Sequence, residues 1–556
     1  MTTTYPTTRH ALLATILFTA ALLTACAGQS PEGANTRTQP RAAVAIPSRT
    51  EHRPITRDAA PAPTSTPAPT TTTAAAAEPD VPPPPAPTFI DPPGTIVLDG
   101  SITDWPSSTV ALSTASHAYV RFMVADQLYT LQAADRTTSI MLDADSDAST
   151  GKPVTLGAQT IGVDIEAQFT PRNDNGKLGR GVAVFAFEPD ADAQRLTAYD
   201  WDFSCTPTYS SDWYEARISR TPKGPVPCTK KGLLSSGTSR GAIATLDATG
   251  TPDAWSPIFT IDNQPAAPAA TLDASLPAKP ANAVRVVSYN VLRSSPNAKP
   301  QVFQRVLGAL QPDVVLVQEW EAQSESELAD WFNSMLPLEG GNSWNVAAIA
   351  DTVQNGGGVA IVSKFPLLSD DAPRPTVPAG AANAGKPIRA AIALADGPHG
   401  PIMFCSTHLK SGGSAGSSED IRRNDEARAL NAIFSAKAPK DAWRIIAGDM
   451  NLVGSREPLE VLAAAIDNDN SALTPAPTRT LGDATYLTWS ESGNAFAPGR
   501  LDWLLYSDST AKAANAFVLD TVRLSDATLA RTGLTATDTA EATDHMPVVV
   551  DLVPLQ

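Results

Sequence analysis

The sequence predicts two folded parts of different class, an all-β sandwich followed by a strand-rich α/β domain. Three observations predict them. From Gly94 to Asp262, short alternating apolar runs are separated by turn residues, as in a set of antiparallel strands. From Val284 to Gln556, β-branched runs alternate with apolar residues at three-four spacing, the mark of mixed strands and helices. Proline-rich stretches precede the first part and separate it from the second, as linkers do.

A chain of 556 residues is long enough for more than one domain. Its net charge is −17 and its pI about 4.8. No basic tract marks tight, sequence-independent binding to duplex nucleic acid. Acidity does not exclude chemistry on nucleic acid, because a bound divalent ion supplies local positive charge.

Residues 1–25 read as a secretion signal. Arg9 and His10 precede the apolar run Ala11–Leu23, which is short for a membrane span. The run ends in Leu23-Thr24-Ala25-Cys26-Ala27, which resembles a bacterial lipobox. That resemblance implies cleavage before Cys26, lipidation of its thiol, and an exported protein anchored to a membrane by lipid. Ala27 in place of Asp implies outer-membrane sorting. Residues 26–93 are rich in Pro, Thr and Ala; such a segment buries too little apolar surface to fold and is expected to be a tether. Of the four cysteines, Cys205 and Cys228 are a candidate disulfide in an exported protein. Cys405, in the apolar run Pro401–Cys405, is expected to be a buried free thiol.

The first folded part, 94–262, contains strand-like runs at Thr95–Gly100, Ala118–Val124, Ser139–Leu142, Gly162–Glu166 and Trp213–Ile218. Leu98–Trp105, Leu142–Gly151 and Trp213–Ile218 resemble the family 9 carbohydrate-binding modules, which implies a glycan partner. Asp143, Asp145 and Asp147 alternate in sequence, so their carboxylates converge on Ca²⁺ if the loop curls. This is no EF-hand, because Val154 stands where the bidentate Glu belongs. Trp105, Trp201, Trp213 and Tyr214 are candidates for stacking on sugar rings, with core packing the alternative. Residues 263–283 read as a second linker.

In the second part, 284–556, Arg285–Leu292 is a strand run that includes Asn290, followed by helical spacing at Val302, Phe303, Val306, Leu307 and Leu310. Val314–Glu319 is a buried strand ending in a carboxylate. Gly356–Val362 and Ile388–Leu394 are further strands, and Ile402–Ser406 runs into Thr407-His408-Leu409-Lys410. A helix is expected over Ser418–Lys437, where Arg422 and Arg423 read as a solvated face. The strand Trp443–Ala447 turns at Gly448 into Asp449-Met450-Asn451. In an extended segment Asp449 and Asn451 point to one side; the bland alternative is an Asx-capped turn. Arg500–Tyr506 carries Asp502, and Asp544-His545 precedes the closing strand Pro547–Leu552. Each of these polar side chains is costly to bury unpaired, and all in this order point to convergence in space.

Together these residues resemble the endonuclease/exonuclease/phosphatase superfamily, the fold of DNase I. The resemblance implies a two-sheet α/β sandwich with its site at one rim. It implies Glu319 as principal ligand of Mg²⁺ (or Mn²⁺), with Asn290 and Asp544 nearby. By the same resemblance, Asp449 would orient or deprotonate the attacking water, and Asn451 would position it or the phosphate. His545, oriented by Asp502, would donate to a nonbridging phosphate oxygen. His408 would contact the phosphate from the other side or assist the leaving group, and Arg389 would be a further phosphate contact. The family also supplies a Tyr from the middle strands; Gly356-Gly357-Gly358 occupies that region here. The reading is an exported, lipid-anchored, metal-dependent phosphoesterase that hydrolyses phosphodiester bonds, an extracellular endonuclease acting on nucleic acid. Alternatives are a sphingomyelinase-type phospholipase, a phosphomonoesterase, and a non-catalytic surface scaffold binding glycans.

Overall fold

The computed structural model describes residues 95–555 except 125–129, 189–191, 221, 223–233, 235–236, 265–271, 294, 322–323, 352–356 and 369–373. The segments expected to be a secretion signal (1–25) and a tether (26–93), with Cys26, and Cys228 lie outside the described residues.

The second part is built on two sheets. One runs in the order Asn345–Ile349, Gly358–Ser363, Val314–Trp320, Val284–Asn290, Val548–Pro554, Ala511–Val518, Arg479–Thr480. The other runs Leu367–Leu368, Ala390–Gly397, Gly400–His408, Trp443–Asp449, Asp502–Tyr506, Thr474–Pro475. Each has a central parallel pair, Val284–Asn290 with Val314–Trp320 and Gly400–His408 with Trp443–Asp449. A parallel pair needs a crossover, and the helices Pro300–Leu310 and Ser418–Lys437 supply the two.

Period-two alternation sorts the side chains into layers. Val284, Val286, Val314 and Leu316 share a core with Ile402, Phe404, Ile445, Ala447 and Leu504 of the facing sheet. On the outer faces, Val287 and Tyr289 pack on Phe303 and Val306, while Cys405 and Ile446 pack on Leu430 and Phe434. The result is the expected two-sheet sandwich flanked by helices. Cys405 is a buried free thiol there. The Ser418–Lys437 helix starts where Ser417 accepts from the Asp420 amide, with Glu419 and Asp420 in its first turn and Lys437 in its last, charges that suit its dipole.

Among its described residues the first part has two larger antiparallel sheets, beside the two-stranded hairpin of Lys152–Leu156 and Gln159–Val163. One orders Ala111–Ser113, His117–Met123, Trp213–Ser219 and Ser204–Thr206. The other orders Pro252–Trp255, Thr238–Leu246, Thr137–Asp143, Ile165–Phe169, Val182–Ala186 and Gln194–Leu196. Both contribute to one core containing Val120, Phe122, Ile140, Phe169, Trp201 and Tyr214. The strand expected at Thr95–Gly100 does not join either sheet. Leu98 instead bridges Thr485 of the second part, and its amide donates to Ala484 O at 2.8 Å.

Residues 82–556 form one compact unit. Arg217, fully buried, makes a bidentate pair with Asp483 at 2.6 and 2.8 Å. In the expected linker, Lys279 reaches Asp313 at 2.8 Å and Asp273 O accepts from the Gly482 amide at 2.9 Å.

Candidate active site

Strand parity decides which polar residues meet. Asn290, Gln318, His408, Asp449 and Asp502 share the inner parity of Val286, Leu316, Phe404, Ala447 and Leu504. Register sets His408 beside Asp449, Asp449 beside Asp502, and Asn290 beside Gln318. All lie at one end of the gap between the sheets. Just beneath, Gln318 Nε2 donates to Ser406 Oγ at 3.0 Å, tying one sheet to the other.

Glu319 has the wrong parity and is re-aimed. The ladder slips between Gln318 and Trp320, and Glu319 adopts a left-handed φ of +64°, as at a β-bulge. Beyond it Trp320 turns outward and packs on Trp331 and Phe332 as part of the core. Gly357 makes the bulge possible. A Cβ there would lie 2.8 Å from the Cα, C and O of Glu319, at a φ of +73°. The glycine run is therefore the seat of the Glu319 bulge, a role the sequence reading did not recognise.

Asp449 is the hub. Its Oδ2 accepts from Asn290 Nδ2 at 3.2 Å and lies 3.5 Å from His408 Nε2 and 3.8 Å from His545 Nε2. Asn290 Nδ2 also reaches Glu319 Oε1 at 3.1 Å. Burial, opposed by His545 but joined by Asp502 and Glu319, raises the Asp449 carboxyl to about 7. Burial likewise pushes Glu319 up. Glu319, His408 and Asp449 place ligand atoms within 4.8 Å of one another. Two carboxyls gathered and desolvated in this way are the donor set that a hard divalent cation favours.

The two histidines are held in opposite states. His545 Nδ1 lies 2.8 Å from Asp502 Oδ2. Burial opposes its charge, but Asp502, Asp449 and Asp544 outweigh it and raise His545 to about 10. Asp502 thus favours the imidazolium, and Nε2 lies 3.8 Å from Asp449 Oδ2 and 3.4 Å from Asn290 Nδ2. His408 is pushed well below the usual imidazole range by burial and by Arg389, His545 and Lys410. Arg389 Nη1 lies 2.9 Å from His408 Nδ1. A guanidinium only donates, so Nδ1 accepts and the single ring proton sits on Nε2.

The remaining predicted residues are placed as follows. Arg389 also donates through Nη2 to Leu409 O at 3.0 Å, so it orients His408 and the strand end. Asn451 leaves the strand at a φ of +48°, its amide donating to Asp449 Oδ1 at 2.9 Å and its Nδ2 to Leu409 O at 3.2 Å. The Asx-type turn is therefore formed, and it fixes the Asp449 carboxylate. Asp544 accepts from Trp489 Nε1 at 3.0 Å. Residues around Thr488 escaped the sequence reading. Thr488 Oγ1 accepts from the Leu501 and Asp502 amides at 2.9 Å, and Thr488 O accepts from the Met546 amide at 2.8 Å. They brace the Asp502 and His545 segments, and a lone Thr-Trp pair carries no sequence signal of that role.

Away from this rim, Asp143 and Asp145 meet Asp164, not Asp147, with ligand atoms within 4.8 Å. Asp147 instead accepts from the Ser149 amide and hydroxyl. Trp105, Trp201 and Tyr214 are buried, and Arg121 lies over the Trp213 ring. Cys205 is a buried free thiol; its expected partner Cys228 lies outside the described residues. Arg423, expected on a solvated face, is fully buried and donates to Lys410 O and Gly412 O at 2.8 and 2.7 Å. It holds the Gly412–Ser418 loop, whose carbonyls no ladder pairs. Arg422 pairs with Glu426 at 2.9 Å.

Residues 287–545, which span Asn290 to His545, match the Endonuclease/Exonuclease/phosphatase family. No curated protein matches the chain. Among solved structures, the human Nocturnin catalytic domain with bound sulfate is 18% identical, with a TM-score of 0.34, covering 50% of this chain and 97% of that one. A 3′–5′ exonuclease from Neisseria meningitidis is 16% identical, with a TM-score of 0.35, covering 48% and 99%. Sphingomyelinase C from Streptomyces griseocarneus is 18% identical, with a TM-score of 0.33, covering 48% and 99%.

Proposed function

We propose that this chain is an exported, metal-dependent phosphoesterase that hydrolyses phosphodiester bonds in nucleic acid. The observation that supports hydrolysis is the meeting of Glu319, Asn290, Asp449 and the Asp502–His545 pair at one rim. The family match of residues 287–545 agrees with it. Export and lipid anchorage through Cys26 rest on the lipobox-like sequence.

Carboxylate and amide oxygens suit Mg²⁺ or Mn²⁺. Glu319 would hold the ion, with Asn290, whose Nδ2 faces Glu319, and Asp544 nearby at the same rim. When bound, the ion supplies Lewis-acid charge against the phosphoryl and leaving oxygens. The protein groups do the rest. Asp449, poised at about 7, accepts a proton from the attacking water, and Asn451 keeps its carboxylate in place. His545, a fixed cation, donates through Nε2 to a nonbridging phosphate oxygen. His408, neutral and protonated on Nε2, donates from the other side.

The test is hydrolysis by the full chain, with Mg²⁺, of plasmid DNA, RNA, sphingomyelin and p-nitrophenyl phosphate esters, with His545→Ala as the blank. Metal-dependent cleavage of DNA or RNA is the expected result. Turnover of lipid or a small ester alone keeps the mechanism and discards the nucleic-acid substrate. Silence on all four, from folded protein, favours the scaffold reading.

A second ion belongs to the proposal. Asp143 is fully buried, and its Oδ1 has no hydrogen-bond partner among the described residues. With Asp145 and Asp164 beside it, this oxygen favours Ca²⁺. Ca²⁺ should raise the melting temperature of the wild type and not of Asp143→Asn; equal shifts in both would reject the site.

A further inference from the structure

The loop that follows Asp449 is held within the second part by the Asn451 turn, by the Val453 amide donating to Asn451 O at 2.7 Å and by the Ser455 amide donating to Asp420 Oδ1 at 2.9 Å. Gly448 has a φ of +151°, and a Cβ there would strike Thr407 O. Three residues later Asn451 is left-handed. The chain from Met450 to Gly454 therefore leaves the sheet with carbonyls that no ladder pairs. The first part of the chain supplies partners for them. Thr208 Oγ1 donates to Leu452 O at 2.7 Å and lies 3.2 Å from Arg500 O. The Ser210 amide donates to Gly454 O at 2.7 Å. Tyr209 between them packs in the same apolar cluster as Met450, Leu452 and Trp503. A side chain at Gly499 would lie 2.5 Å from Thr208 Cγ2, so the threonine methyl fits closely against that backbone.

One hydroxyl thus touches both chain segments that make the catalytic pair of carboxylates. Leu452 lies three residues after Asp449, and Arg500 lies two before Asp502. The Met450 amide closes the gap by donating to Leu501 O at 2.9 Å. We propose that Thr208 is a positioning residue for catalysis, and that the first part of the chain serves the active site as a brace rather than only as a separate binding module. The proposal rests on the phosphoesterase reading for its kinetic consequence.

Thr208→Val keeps the shape and removes the donor; Thr208→Ser keeps the donor. In the full chain, Thr208→Val should lower kcat roughly 10- to 100-fold, the scale on which misplacement remote from the chemistry acts, with KM within about twofold of wild type. Thr208→Ser should retain most of kcat. Hydrogen exchange over residues 450–456 should quicken in Thr208→Val and not in Thr208→Ser. Wild-type kcat in Thr208→Val, or protection lost evenly along the chain, would overturn the brace. If the wild type hydrolyses nothing, the phosphoesterase reading fails separately, and exchange alone judges the brace: quickened exchange confined to 450–456 supports it, unchanged exchange overturns it.

Discussion

His545 Nδ1 is bonded to Asp502 Oδ2 at 2.8 Å, across 43 residues of sequence. The bond fixes the ring, and the buried carboxylate helps hold the ring proton to about pH 10. Asp502→Asn removes the charge and keeps the shape. If activity needs the imidazolium, it is lost as pH rises through the His545 pKa. The alkaline limb of kcat against pH should therefore move to lower pH in Asp502→Asn, with kcat at neutral pH down by roughly 10²-fold or more. An unmoved limb would show that this pair does not set the protonation of His545.

Gly357 should tolerate no side chain. Gly357→Ala drives a Cβ into the Glu319 backbone, at a site where both residues are already left-handed. Strain of this kind costs about 1–3 kcal/mol. Denaturant melts should show that loss, and metal-dependent turnover should fall further than stability alone explains.

Glu319→Gln keeps the side-chain size and the bulge but removes the carboxylate. Mg²⁺ affinity by calorimetry should drop by at least the roughly 10- to 100-fold that loss of a mere supporting partner produces. Chelation should abolish turnover by the wild type, and added Mg²⁺ should restore it. Unchanged affinity in the variant would move the ion away from Glu319.

The Arg217–Asp483 pair predicts an acid limit to stability. Burial alone would raise the Asp483 carboxyl; Arg217 outweighs it and holds it down at about 2, below its ordinary 3.8. A depressed folded pKa contributes stability that is present above about pH 4 and lost as pH falls towards 2. Asp483→Asn leaves buried Arg217 with only the more distant Asp202 carboxylate, 4.0 Å away, and should cost about 3–5 kcal/mol at neutral pH. Urea melts should show the difference between wild type and variant shrinking below pH 4.

Much of the site was legible because polar residues interrupt strands that are otherwise β-branched. Asn290, Asp449 and Asp502 each sit in or at the end of an apolar run, and inner-face parity then brings them together. The Ser418–Lys437 helix was legible from its apolar periodicity. Glu319 was legible as a strand-end carboxylate, but its direction was not, because a one-residue bulge reverses parity and leaves no mark except the distant Gly357. The brace was illegible for a related reason. Thr208 and Leu452 are 244 residues apart, and a hydroxyl-to-carbonyl contact imposes no pattern on either segment. Arg423 was misread because nothing in a helix sequence tells that a neighbouring loop needs donors.

Asp449 is the proposed base of a metal-dependent phosphoesterase. The most direct measurement is the Mg²⁺-dependent nicking rate of plasmid DNA by the full chain and by Asp449→Ala, with the fold of each verified by circular dichroism. The wild type should nick, chelation should abolish nicking, and the variant should lose roughly 10³-fold or more, within the range for general-base catalysis. A folded Asp449→Ala protein that nicks at the wild-type rate would contradict it.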